Sequence, residues 1–348
     1  MIHCLRFIFV VLAMVGSSTL AASGQSCQTS ADLDDAPRAA ITAASQRYFD
    51  MAAKGDAASL RQSAVPALAA DFSGVESAIK DHQQDLASAQ ATPKIFLLEV
   101  AGTEPMLHAE FLCGVFGKNG QTANSAAFFL DNLAPAKYAV VLFDAVTPRA
   151  RTNVSLILQL VGNDWKVAGF YVKPAQLAGH DSEWFSARAR EYKSKGQVHN
   201  AWLYALEARN LLSPVPFMST QATDKLDTDA QSLEPADVPA SGRPAELVSI
   251  TSAGTSAGAS AGSAAGTTTY KLTALFPAAV GNDLDLIVRY QAADVSDTSK
   301  AYAANVAVMK ALVGKYPELR DAFAGVVARA TDPSGRDYGT LLAMKDIK

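Results

Sequence analysis

Between Lys137 and Lys173 the apolar positions repeat every second residue. Val140, Leu142 and Asp144 alternate with Val141, Phe143 and Ala145; Leu156, Leu158 and Leu160 share one face; Trp165, Val167, Gly169 and Tyr171 share another. Strand side chains point alternately to opposite sides, so this period predicts three consecutive antiparallel strands. Gly162-Asn163 separates the last two, and both residue types adopt positive φ cheaply, which predicts a tight hairpin. Three upstream runs, KIFLLEVAG, MLHAEFLCGVFG and SAAFFLDNL, also read as strands.

Helical spacing brackets this region. Ile41, Ala44, Tyr48 and Met51 recur on one face, with Asp34 or Asp35 as cap, Pro37 in the first turn and Gly55 as the stop. Leu60, Ala64, Leu68 and Phe72 continue the pattern, although Pro66 must split that segment. Val75, Ile79 and Leu86 mark a third helix, supported by Glu76 and Lys80 at i,i+4 and ended before Pro93. After Pro174 two helices are expected around Gly196, from Asp181 to Pro214. The second is apolar on two sides, with Ala201, Ala205, Ala208 and Leu212 on one and Trp202 and Leu206 on the other. One side meets the first helix. The other docks on the rest of the chain or awaits a partner, and Trp202 and Leu206 of that side, with Trp184 of the first helix, are the residues the hairpin would offer as an interaction surface.

Towards the C-terminus, Tyr270, Leu272, Ala274 and Phe276 share a strand face. Leu284, Leu286, Val288 and Tyr290 share the next, with Asp283, Asp285 and Arg289 expected on a solvated side. Asp297 caps a helix carrying Tyr302, Val306, Met309 and Val313, and a last hairpin turns at Pro333-Ser334-Gly335. The expected fold class is α+β: N-terminal helices on a curved antiparallel sheet, a helical hairpin, then a small α+β C-terminal domain. The expected boundaries are 30–175, 176–222 and 269–348. Residues 223–268 read as a linker, with a Ser/Gly/Ala low-complexity tract at 252–268. That tract is either a flexible connector or the loop of a hairpin, because AELVSI before it and YKLTALF after it are both strand-like.

The order of three helices and then strands, closing on Asp164-Trp165-Lys166-Val167-Ala168-Gly169-Phe170-Tyr171-Val172-Lys173, resembles the nuclear-transport-factor-2-like (cystatin-like) cone. The likeness covers about residues 35–175 and implies a sheet wrapped around the first helix. Unrelated activities share that cone, so it implies no particular chemistry. Asp181 to Pro214 is similar to one tetratricopeptide unit, on Phe185, Ala189, Tyr192, Gly196, Ala201, Ala208 and Pro214. Ala205 stands where that family usually has a large aromatic, and no second copy is visible.

Charge and cysteines set the compartment and exclude some partners. The 348 residues carry a formal charge of −4 with both signs interspersed, which offers no basic stripe for nucleic acid or anionic lipid. Arg6, the apolar run Phe7–Val15 and the small residues after it read as a signal peptide over 1–24, cleaved after Ala21 or Gly24. The run is shorter than the about 20 residues a membrane span requires, so no stable span is expected after cleavage. Export, periplasmic or secreted, leaves Cys27 and Cys113 in the mature chain. Either they form one disulfide or they remain two free thiols, one of them buried in EFLCGVF.

Candidate chemistry is sparse. His108 and Glu110 share a strand face and could act as base and orienter or ligate a metal, although no third ligand is in view. The competing reading is an exposed polar strand face. His82, His180 and His199 fit surface or capping positions, and Asp144 fits the end of a strand. Asp283 and Asp285 lack the glycine-spaced loop of a calcium site. No nucleophile elbow, phosphate loop, HExxH or dinucleotide fingerprint occurs, and no cofactor is expected. The chain therefore reads as an exported, non-catalytic binding or scaffolding protein, with another envelope protein or a small apolar ligand as partner. The alternative is a hydrolase or isomerase acting inside the cone.

Overall fold

The structure, a computed structural model, describes residues 24–118, 120–148, 150–239, 243–251 and 266–348. The expected signal segment up to residue 23 and the low-complexity tract over 252–265 lie outside the described residues. Strand β1 (Gln25–Thr29) leads into helix α1 (Asp35–Ala53), the short α2 (Ala57–Gln62) and α3 (Pro66–Ala70), and α4 (Ser73–Leu86). Pro66 divides α2 from α3 because a proline ring is accepted only in a first helical turn. Between them, Ala64 bridges to Val167 and pins the break against the sheet.

Six long strands come next: β2 (Gln90–Val100), β3 (Met106–Gly117), β4 (Gly120–Leu133), β5 (Ala136–Val146), β6 (Arg151–Val161) and β7 (Asp164–Pro174). The predicted meander is β5 to β7. Its Gly162-Asn163 turn uses positive φ only at Gly162, at 63°. Pro93 sits inside β2, beyond the end of β1 pairing at Thr29↔Phe96, where one edge of the strand needs no donor.

The α+β class holds, and the strands divide into two sheets, one of order β1-β2-β5-β6-β7 and one of β4 and β3 with β10 (Met218–Ser219). Side-chain alternation accounts for the division. Ile95 and Leu97 of β2 and Ala139, Val141 and Phe143 of β5 pack with Tyr48, Phe49 and Ile79 of α1 and α4. Phe96, Leu98, Tyr138 and Val140 point the other way and meet Ala109, Phe111, Cys113 and Phe128 of the smaller sheet. A strand buried on both faces carries a near-continuous apolar run, as β2 and β5 do. Cys27 and Cys113 form a disulfide, Cα–Cα 5.0 Å, joining β1 at the edge of the first sheet to β3 at the edge of the second.

After β7 the chain forms the two-residue strands β8 (Gln176–Leu177) and β9 (His180–Asp181), the hairpin α5 (Ser182–Ser194) and α6 (Val198–Leu212), then β10 and α7 (Gln221–Leu233). Helix α7 lies in the stretch expected to be linker. A reciprocal Thr220/Thr223 capping box starts it, and Leu226, Ala230 and Leu233 give it one apolar strip on an otherwise polar surface. The last unit comprises β11 (Ala245–Thr251), β12 (Gly266–Val280), β13 (Asp283–Gln291), α8 (Thr298–Lys315), a 3₁₀ turn at Pro317–Asp321, β14 (Gly325–Thr331) and β15 (Asp337–Ala343), its five strands paired in that order. Antiparallel pairing runs from Ala245↔Leu272 to Thr251↔Gly266, so the strands flanking the low-complexity tract are hairpin partners and the C-terminal sheet begins at Ala245. Among the described strands of this sheet only β13 and β14 are parallel, and α8 makes the crossover that parallel neighbours need.

One core joins the helical hairpin to this sheet, with Phe185, Tyr192, Trp202 and Tyr204 packed among Leu272, Leu286, Val288 and Met309. Trp202 is 3% exposed, which removes it from the expected interaction surface. The apolar positions of α6 pack on α5, α7 and the C-terminal unit, while Leu206 stays 37% exposed. Asp285 is likewise buried rather than solvated, and burial, followed by the charge of Asp283, pushes its carboxyl pKa up against a hydrogen bond from the Gly325 N–H.

A candidate binding cleft between the hairpin and the C-terminal unit

The cleft starts at a tight turn. Leu177 pairs with His180, and the two residues between them, Ala178 and Gly179, have φ of 48° and 78°. Consecutive positive φ values define a turn that glycine enters freely and alanine only with about 1–2 kcal/mol of strain. The turn delivers His180 to the start of α5. There the Asp181 carboxylate accepts from the Trp184 N–H at 3.0 Å and caps the helix. With both residues fixed, the His180 imidazole lies flat on the Trp184 indole, centroids 3.7 Å apart and planes within 8°. One turn on, the Arg188 guanidinium is 5.6 Å from the same indole centroid and 2.5 Å from Glu191.

Tyr192 and Tyr204 form the base. Their hydroxyls donate to the backbone carbonyls of Asp321 at 3.1 Å and Ala322 at 2.8 Å, so the hairpin is bonded to the chain just after α8. Burial, reinforced by neighbouring Tyr192, drives the Tyr204 hydroxyl far above its ordinary pKa and keeps it a neutral donor. The other wall is Asn282, Asp283 and Leu284 at the start of β13 and Arg320 to Ala324, and the open cleft has a volume of about 330 Å³. Arg320 is held in place by the Met344 and Ile347 carbonyls at 2.8 and 2.6 Å, and Asp321 accepts from Gln197 at 2.6 Å. The side chains of His180, Asn282 and Asp283 line the cleft without a hydrogen bond or ion pair to any described residue. The lining thus offers an aromatic surface, the guanidiniums of Arg188 and Arg320, the carboxylates of Asp283 and Asp321, and the polar side chains of His180 and Asn282.

The structure scatters the residues singled out from sequence. Trp184 is in the cleft, whereas Leu206 is 37% exposed elsewhere on α6 and Trp202 is in the core. His108 and Glu110 do share the outer face of β3, but His108 bonds Asp131 across the strand pair at 2.7 Å and Glu110 faces Phe129. Both ends of the His108–Asp131 pair are open to solvent, at 88% and 70%, so no enclosed reaction site forms there. Among the described residues, no group of three His, Cys, Asp or Glu could hold a metal. His199 bridges Glu318 at 2.6 Å and Asp237 at 3.1 Å, Asp144 pairs with Arg151 at 2.5 Å, and His82 lies 3.7 Å from Asp85. The cleft has one signal along the chain that local reading passes over. It is the i, i+4 spacing of Trp184 and Arg188 on α5, with His180 one residue before the Asp181 cap.

No family model matches this chain, and neither a characterised protein nor a solved structure is significantly similar to it. No described helix is long and apolar enough to cross a membrane.

Proposed function

We propose that this is an exported binding protein whose cleft between the helical hairpin and the C-terminal sheet holds a small polar ligand with a flat face, neutral or zwitterionic overall. The observation that carries this reading is the His180–Trp184 stack set opposite the unengaged Asn282 and Asp283 across about 330 Å³. Ligand pockets of this size use aromatic walls for contact area and a few placed polar groups for orientation. The lining holds two arginines, one of them paired with Glu191, and two aspartates, so it presents no strong charge of either sign. The strained Ala178 turn, held in place by Gly179 and the cap of α5, is the kind of local cost that clusters at ligand sites.

Binding is the favoured reading because the His180 imidazole is stacked face to face on Trp184, an arrangement that supplies flat contact area. The helix-facing side of the five-stranded sheet is filled by Tyr48, Phe49, Phe143 and Trp165, which speaks against a reaction inside a cone. Export is supported by the disulfide together with the apolar leader pattern of Phe7–Val15. The tetratricopeptide resemblance is supported by α5 and α6 meeting at Gly196, φ 74°.

The test is calorimetric titration of the disulfide-bonded protein with hexoses, free amino acids, citrate and spermidine. Saturable binding is expected from the neutral or zwitterionic probes. It should weaken about 5- to 30-fold in the His180→Ala/Asp283→Ala variant, the range that corresponds to about 1–2 kcal/mol for lost polar contacts. Binding of citrate or spermidine alone, or equal binding by the variant, overturns the reading.

A further inference from the structure

Away from the cleft, α5 and α7 flank a groove of about 290 Å³. Its apolar lining comes from Ala189 of α5, Ala205 of α6, and Leu226 and Leu233 of α7. Ala205 lines the groove and is 3% exposed, so a longer side chain there would intrude on the space. The charge on its rim runs against the chain as a whole. Arg190, Lys193 and Lys225 face Asp229 alone, a local excess of two positive charges on a protein of net −4. Arg190 reaches only the Ser186 hydroxyl, at 3.4 Å, and neither Lys193 nor Lys225 forms an ion pair with a described residue.

We propose that this groove is a second binding site, for an anionic amphiphile: an unbranched acyl chain ending in a carboxylate. Three features select that occupant. The unneutralised cations want an anion, and the leucines and alanines want an apolar stem. The third is the lack of backbone partners. Groups in the interior of a helix wall are already bonded within the helix, so an extended peptide laid here would find nothing for its own N–H and C=O groups, whereas an acyl chain has none to satisfy. From Ser186 to Lys193 the wall rises about 10 Å and from Lys225 to Leu233 about 12 Å, room for a chain of roughly ten carbons.

The test uses the intact oxidised protein and sodium hexanoate, octanoate and decanoate, titrated calorimetrically below micelle-forming concentrations. One site per chain is expected. Affinity should rise about fourfold per added methylene, hence about fifteenfold per two-carbon step, as burial of each methylene requires. Lys193→Gln/Lys225→Gln, two exposed changes, should weaken decanoate at least tenfold with an unaltered melting temperature, and raised salt should act in the same direction. Ala205→Leu should block binding, whereas His180→Ala/Asp283→Ala should leave it intact, which separates this site from the cleft. The proposal is overturned by affinity independent of chain length, which would mark a simple anion site. It is equally overturned by decanoate binding unchanged in the lysine variant, or by an acidic acetyl-Glu-Leu-Glu peptide binding more tightly than decanoate.

Discussion

Single residues fix the corners of this fold, and Asp332 is the clearest case. Its carboxylate accepts from the Ser334 hydroxyl at 2.6 Å, the Ser334 and Arg336 N–H groups at 2.9 and 3.1 Å, and the Arg336 guanidinium at 2.9 Å. Led by the Ser334 bond, these contacts outweigh the cost of burial and hold its pKa at about 2, below the ordinary 3.8. A carboxyl depressed in the folded state stabilises it above the unfolded value and loses that contribution as pH falls through the folded one. Asp332→Asn should therefore melt below the native protein at neutral pH, with the gap closing between 3.8 and about 2. Melting curves across that window check it; a gap independent of pH would refute the assignment. The turn at Pro333-Ser334-Gly335 was legible from residue types alone. The burial of Asp285 was not, because the Gly325 N–H that meets it lies forty residues away in sequence and only the β13–β14 crossover brings the two together.

At the scale of elements, what could be read depended on how local each element's partners are. The meander β5–β7 pairs consecutive strands, so alternation and one turn residue sufficed. The departure of β3 and β4 into a second layer could not be read, since their alternating pattern fits a place in either sheet. Helix α7 was missed because a single strip of Leu226, Ala230 and Leu233 is thin in a polar stretch and gains its stability from α6. The disulfide holds the edges of the two sheets together across 86 residues. For a loop of that length the chain-entropy model gives about 4–5 kcal/mol. Cys27→Ser/Cys113→Ser is expected to lose that much in urea unfolding. A loss under about 1 kcal/mol would show that the layers hold without the bond.

Across the whole molecule, hydrophobic contacts separate into the two cores of the N-terminal layers and one core shared by the hairpin and the C-terminal sheet. The hairpin thus belongs energetically to the C-terminal unit, although Lys173 of β7 also bonds the Asn210 and Ser213 carbonyls at 2.6 and 3.0 Å. Two calorimetric transitions are expected. Trp202→Ala should lower only the one that reports the hairpin and C-terminal sheet, by about 3–5 kcal/mol, and a single transition shifting as a whole would contradict this partition. The cleft was hidden in the sequence for the same reason. Its walls come from α5, the start of β13 and the segment after α8, and nothing local marks those three as neighbours. The pairing of β11 with β12 has a different kind of consequence. Thr251 and Gly266 face each other across the ladder, so whatever lies between them spans a fixed and very short gap. Doubling the length of such a connection costs only about 0.6 kcal/mol of closure entropy. The Ser/Gly/Ala run is therefore the place where this chain can lengthen, shorten or accept an inserted tag over generations, while the strand register alone keeps the C-terminal sheet in place.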